Sequence, residues 1–324
     1  MNETNSYSGH LHQPRGAKEY AGLVARGFAM GSADVVPGVS GGTMAFILGI
    51  YEELIDSIRT VGRPEFLAPL FRGRIGEAFR VLNWKFLLAV LSGIAAAILT
   101  LARGMEWALE NRAVWVWSFF FGLVLASVVT VSRRIGRWNP SLLGLALLGA
   151  VGAWLFVGLV PVQTPTTWWF LFLAGAVAIC AMILPGISGA FVLLLLGKYH
   201  YVLGAVNDRN VEPVFWVALG ALVGIVSFAQ VLGWLFRSYH DPTVAVLTGL
   251  MLGSLRKVWP WKEAVAFITG PEGERIPTVE RNVMPGAGDD VLVAVGLAVL
   301  GLVIVLVLES WANRASEPEL RPGS

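Results

Sequence analysis

Apolar positions in this chain run in long unbroken blocks rather than in the narrow stripes of surface helices. Phe86 to Ala102, Ala113 to Ser132, Pro213 to Phe236 and Val291 to Leu308 contain no charged residue, and each is close to the roughly 17 to 25 residues that a helix needs to cross hydrocarbon. The stretch from Trp138 to Gly197 is also free of charge. It is too long for one crossing, and Pro161, Pro165 and Pro185 divide it into at least two membrane segments. Backbone donors and acceptors in lipid must be paired internally, so these blocks predict an all-α polytopic membrane protein. A different pattern lies between Pro64 and Asn83, where Phe66, Leu67, Leu70, Phe71, Ile75, Phe79 and Leu82 are set among Arg72, Arg74 and Arg80. It predicts a helix lying on the membrane surface.

The blocks repeat. Gly27 to Tyr51 (GFAMGSADVVPGVSGGTMAFILGIY) and Gly175 to Tyr199 (GAVAICAMILPGISGAFVLLLLGKY) align without a gap at an offset of 148. The alignment pairs Pro37 with Pro185, Gly38 with Gly186, Ser40 with Ser188, Gly41 with Gly189 and Tyr51 with Tyr199. A fainter echo pairs Gly122 to Ser127 (GLVLAS) with Gly249 to Ser254 (GLMLGS). Proline removes a backbone donor and glycine favours other backbone geometries, so each Pro-Gly-x-Ser-Gly should break its helix. Irregular backbone at membrane depth must be enclosed by protein or line a watery cavity.

Reading each broken segment as a re-entrant hairpin gives a polar N-terminal segment at 1–26 and a first repeat at 27–160, with hairpin 27–55, surface helix 64–83 and three spans. A second repeat follows at 166–308, with hairpin 166–203 and three spans, before a polar tail at 309–324. Three crossings invert the second repeat relative to the first, a plan common among transporters. With both termini cytoplasmic, 15 Lys and Arg fall inside and 9 outside; if the broken segments crossed fully, the better orientation gives 16 and 8. Both arrangements stay open on that count. The basic loop from Arg256 to Asp289 lies outside in the re-entrant arrangement.

Composition adds mainly exclusions. Of 324 residues, 56% are hydrophobic and 14% charged, with a net charge of +2, which fits a bilayer as solvent and offers no basic surface for nucleic acid. The one cysteine, Cys180, lies in an apolar run; a disulfide framework and a cysteine metal cluster are both excluded. His10 and His12 lie in the polar N-terminal segment, and His200 and His240 flank apolar runs singly. No metal, cofactor or nucleophile-base pair is expected from them. The first residues lack the pattern of a cleaved signal peptide, so insertion through uncleaved helices is expected, in the inner membrane of a bacterial host.

Candidate chemistry collects at the breaks. A helix starting after a break presents unpaired N–H groups and the positive end of its dipole. The segment Pro37, Gly38, Ser40, Gly41, Gly42 and Thr43 combines such a start with close backbone approach and two hydroxyls, as a phosphate cradle requires. Pro185, Gly186, Ser188 and Gly189 repeat it with less polarity. The competing reading is a kink or tight helix packing. Asp34, three residues before Pro37, is either a proton-coupling group or a carboxylate satisfying backbone N–H groups at the break. Arg256 and Lys257 follow an uncharged stretch short for a crossing, so they either reach a buried phosphate or snorkel to the interface. Tyr51, Lys198, Glu52 and Glu53 are read as interface anchors.

The blocks DVVPGVSGGTMAFILGIY (34–51), LPGISGAFVLLLLGKY (184–199) and GLMLGSLRKVWPW (249–261) resemble the signature blocks of the polyprenyl-phosphate transporter family. The resemblance covers nearly the whole chain. It implies a substrate, undecaprenyl phosphate, returned from the outer to the cytoplasmic leaflet as the carrier lipid of cell-wall sugar export. The residues themselves support only an anion site in a duplicated bundle. A membrane enzyme acting on the same lipid and a small inorganic-anion channel or carrier remain the alternatives. The polar loop 262–290 carries no assigned role, and the oligomeric state is left open.

Overall fold

A computed structural model describes residues 15–35, 40–269, 275–286 and 290–316. The first half contains α1 (Ala17–Asp34), α2 (Gly41–Ile47), α3 (Tyr51–Val61), α4 (Pro64–Phe71), α5 (Ile75–Val81), α6 (Trp84–Ser132) and α7 (Pro140–Phe156). The second contains α8 (Trp168–Ile183), α9 (Gly189–Leu195), α10 (Tyr199–Asn207), α11 (Val211–Ser238), α12 (His240–Ser254), strands β1 (Lys262–Thr269) and β2 (Arg275–Asn282), and α13 (Val291–Ser316). Among the described residues α6, α11 and α13 are long and apolar enough to cross a membrane, and α7 and α8 are shorter apolar helices. The chain is thus a mostly helical, multi-pass membrane protein.

Phe86 to Ala102 and Ala113 to Ser132 lie in the two helical segments that make up α6, which are separated by a kink at Arg112, whose φ of −143° and ψ of 43° leave the helical region. Two other stretches take forms the sequence pattern does not show. The surface stretch 64–83 is two short helices, because Gly73 between them takes a left-handed φ of 72°. The polar loop 262–290 contains an antiparallel two-stranded hairpin, with Lys262 opposite Asn282 and Thr269 opposite Arg275.

Close helix packing is built on glycine, and the same contacts occur in both halves. In the first, a Cβ on Gly27 would lie 2.2 Å from the Val90 carbonyl oxygen, and one on Gly93 would lie 2.1 Å from that of Val24. In the second, Gly175 meets Val217 at 2.1 Å and Gly220 meets Phe172 at 1.9 Å. These contacts bring α1 onto the first part of α6, and α8 onto α11. The later helices exchange partners between halves. A Cβ on Gly122 of α6 would lie 1.8 Å from the Ala298 carbonyl oxygen of α13, and one on Gly249 of α12 would lie 2.0 Å from that of Ala146 on α7. Gly301 against Phe119 (2.2 Å) and Gly149 against Val246 (2.6 Å) complete the matched set.

The short helices also match. Gly49 after α2 and Gly197 after α9 both take left-handed φ, 72° and 63°, ending each helix with bonds from Ile50 N to Ala45 O (3.0 Å) and from Lys198 N to Leu193 O (2.8 Å). The α9 helix folds back along α8, since a Cβ on Gly189 would lie 2.6 Å from the Ala178 carbonyl oxygen. It meets α10 at a bend of 105°.

Candidate functional site where the two breaks meet

The C-terminal carbonyls of α8 lack partners within the helix. Side chains of the first break supply them. Ser40 caps the start of α2, and its hydroxyl lies 3.1 Å from the Met182 carbonyl oxygen and 3.3 Å from that of Leu184. The same oxygen accepts from Gly42 N at 3.2 Å. Tyr51 donates from its phenol to the Ile183 carbonyl at 3.1 Å. In the other direction Gly186 N donates to Thr43 Oγ1 at 2.9 Å. Ser40, Thr43 and Tyr51 are all buried.

Glycine is needed for this approach at two positions. A Cβ on Gly42 would lie 2.5 Å from the Ile183 carbonyl oxygen. Gly186 has a φ of 88°, and a Cβ there would lie 2.8 Å from Ser254 Oγ and 2.9 Å from Met251 Cα. The end of α12 therefore presses on the second break. Asp34 closes the first break, its Oδ1 accepting from Gly41 N at 2.7 Å. Asp34 thus satisfies a local backbone N–H at the break. Its counterpart Met182 contributes only a carbonyl.

The remaining candidates are divided. Pro185, Gly186 and Gly189 are buried in the second break, and Ser188 caps α9 without a side-chain bond to its backbone. Pro37 and Gly38 lie outside the described residues. Arg256 and Lys257, read as a pair, face different neighbours. The Arg256 guanidinium donates to the Trp154 carbonyl at 2.8 Å and stacks 4.2 Å from that ring's centroid, on α7. Lys257 Nζ lies 4.8 Å from the Phe191 ring of α9 and 3.5 Å from Glu280 Oε2.

Two expected interface anchors are interior residues. Tyr51 is 1% exposed and, as described, holds the second break. Lys198 is also 1% exposed, donating to the Thr164 carbonyl at 2.5 Å beside the rings of Phe170 and Tyr201. Sequence reasoning also passed over Arg134, whose guanidinium donates to the Phe46 carbonyl at the end of α2 (2.8 Å) and lies 4.8 Å from the Phe46 ring. Its one sequence signal was its place in the basic pair, Arg133 and Arg134, that follows an apolar block. No group of three or more His, Cys, Asp or Glu side chains able to hold a metal occurs among the described residues.

Matched glycine packing in the two halves, and side chains of Ser40, Thr43 and Tyr51 bonded to the second break, define a mostly helical membrane protein with two related halves. Residues 30–276 match the VCA0040-like family, described as undecaprenyl phosphate translocase-like, and the chain belongs to that family. It is 41% identical over 302 residues to a polyprenyl-phosphate transporter of Vibrio cholerae serotype O1, covering 91% of this chain and 98% of that protein. A polyprenyl-phosphate transporter of Staphylococcus aureus (strain NCTC 8325 / PS 47) is 29% identical over 256 residues, covering 73% of this chain and 85% of that protein. No solved structure matches the chain. Membership makes the protein a transporter rather than an enzyme.

Proposed function

We propose that this protein carries undecaprenyl phosphate across the cytoplasmic membrane, returning the carrier lipid from the outer to the inner leaflet for reuse. The names of both relatives support the substrate class. The observation that carries the site assignment is the direct bonding of the two breaks through Ser40, Thr43 and Tyr51. In this reading the repeats are inverted, the broken segments are re-entrant hairpins, and both termini are cytoplasmic.

The bonds that join the breaks suggest how a head group is accepted. A phosphate entering between the tips replaces the Met182 and Leu184 carbonyls as partner of the Ser40 hydroxyl, and the Thr43 and Ser188 hydroxyls add donors. Separation of Asp34 from Gly41 frees another N–H, and protonation of Asp34 favours that separation, linking transport to protons. Lys257, beside α9, and Arg256 balance the negative charge. The isoprenoid tail stays in lipid while the tips part around the head group and the halves rock.

Leaflet transfer of a polyprenyl phosphate in vesicles tests the assignment. Ser40→Ala combined with Ser188→Ala is expected to slow transfer at least tenfold with the protein still folded. Transfer at the unaltered rate removes the tips from the substrate path.

A further inference from the structure

The β-hairpin covers a cation cluster that the two breaks do not explain. Lys262, the first residue of β1, has a side chain 8% exposed, and its ammonium stands 3.8 Å from the centroid of the Trp117 ring. Its Nζ is buried without a hydrogen bond. Lys257 approaches from the end of α12. Both ammonium groups lie 3.5 Å from one and the same oxygen, Glu280 Oε2 on β2. Charge-assisted N–H···O bonds are about 2.7 to 2.9 Å long, so at 3.5 Å both ion pairs are long, and one carboxylate is shared between two cations.

The electrostatics agree with this geometry. Burial first, and the neighbouring Lys257 charge as well, hold Lys262 down to about 8, although Glu280 pulls the other way. Burial pushes the Glu280 carboxyl up, but the two lysines outweigh it and leave it below the usual carboxylate range. The cluster carries one positive charge in excess and a buried donor without an acceptor. A phosphate monoester fits it better than a carboxylate, offering three terminal oxygens and up to two negative charges.

We infer that Lys257 and Lys262 form a second anion site beneath the β-hairpin, which takes a phosphate monoester head group in exchange for the Glu280 carboxylate. This rests on the transport reading in one respect, that the phosphate belongs to a lipid. Lys257 touches Phe191 of α9, so the site adjoins the second break and serves as a waiting position for the head group before it reaches the tips. Glu280 keeps the lysines paired while the site is empty.

Binding of farnesyl phosphate, farnesol and inorganic phosphate to the full chain in phosphatidylcholine nanodiscs tests the inference. Lys262→Met is expected to weaken farnesyl phosphate binding at least tenfold. Glu280→Gln, which removes the competing charge, is expected to tighten it about threefold or more, and the exposed Glu263→Gln to leave it unchanged. A merely structural ion pair predicts the opposite for Glu280→Gln, a lower melting temperature and no gain in binding. Unaltered binding by Lys262→Met, or equal or weaker binding by Glu280→Gln, overturns the inference. If inorganic phosphate binds as tightly as farnesyl phosphate, the site stands as one for free phosphate; a preference of tenfold or more for the prenyl ester makes it a lipid head-group site. Leaflet transfer separates the two readings. Wild-type protein that binds at Lys262 but transfers no lipid sinks the transport reading alone, and transfer undisturbed by Lys262→Met with undisturbed binding sinks the second site alone.

Discussion

Gly186 shows at a single residue how the second break is held. Its left-handed φ and the crowding of Ser254 and Met251 leave no room for a side chain. Gly186→Ala is expected to cost about 1 to 3 kcal/mol of stability through strain alone, read as a lowered melting temperature in detergent. Tyr51→Phe leaves the buried Ile183 carbonyl without its partner, a loss of about 1 to 3 kcal/mol, and should lower the melting temperature in the same assay. The proline-glycine motifs were legible in the sequence because duplication marks them. Tyr51 was not, because a tyrosine beside an apolar block has the same composition whether its hydroxyl reaches water or a carbonyl from residues 132 positions away. Asp34 was half legible: its isolation in an apolar segment identified it, but only coordinates show Gly41 N as its partner.

Among the elements, the glycine contacts set helix pairing. Gly122 and Gly249 hold equivalent places, each against a carbonyl of a helix from the other half. Gly122→Leu and Gly249→Leu should therefore wedge apart α6 from α13 and α12 from α7, respectively, and both should lower the melting temperature markedly. Gly144 on α7 has nothing within 4 Å of its Cβ position. Gly144→Ala is expected to be neutral or to stabilise by at most about 1 kcal/mol, the helix-propensity difference. The long helices were readable because lipid demands length and apolarity together. The β-hairpin was not, since Lys262–Thr269 and Arg275–Asn282 are short, partly charged stretches whose pairing depends on register. The charges between Ala102 and Ala113 separate two apolar blocks in the sequence, but only the structure narrows the break to the backbone of Arg112.

For the whole molecule, the exchange of partners between halves ties each last helix to the opposite repeat, and the transport reading predicts that separation takes place at the tips. A crosslink there should stop transport. In a Cys180→Ser background, Ser40→Cys with Leu184→Cys is expected to abolish leaflet transfer on oxidation and to recover it on reduction; full transfer by the crosslinked protein would show that the tips need not part.

The bonds at the tips are also one-sided in origin. Among the described residues, every first-half partner in these bonds is a side chain, on Ser40, Thr43 or Tyr51, whereas Met182, Ile183, Leu184 and Gly186 answer with main-chain atoms only. Tolerance of substitution at this seam is accordingly expected to be unequal: exhaustive mutagenesis should find positions 182 to 184 permissive to any apolar residue and positions 40, 43 and 51 nearly fixed, one copy of the motif supplying chemistry and the other scaffold.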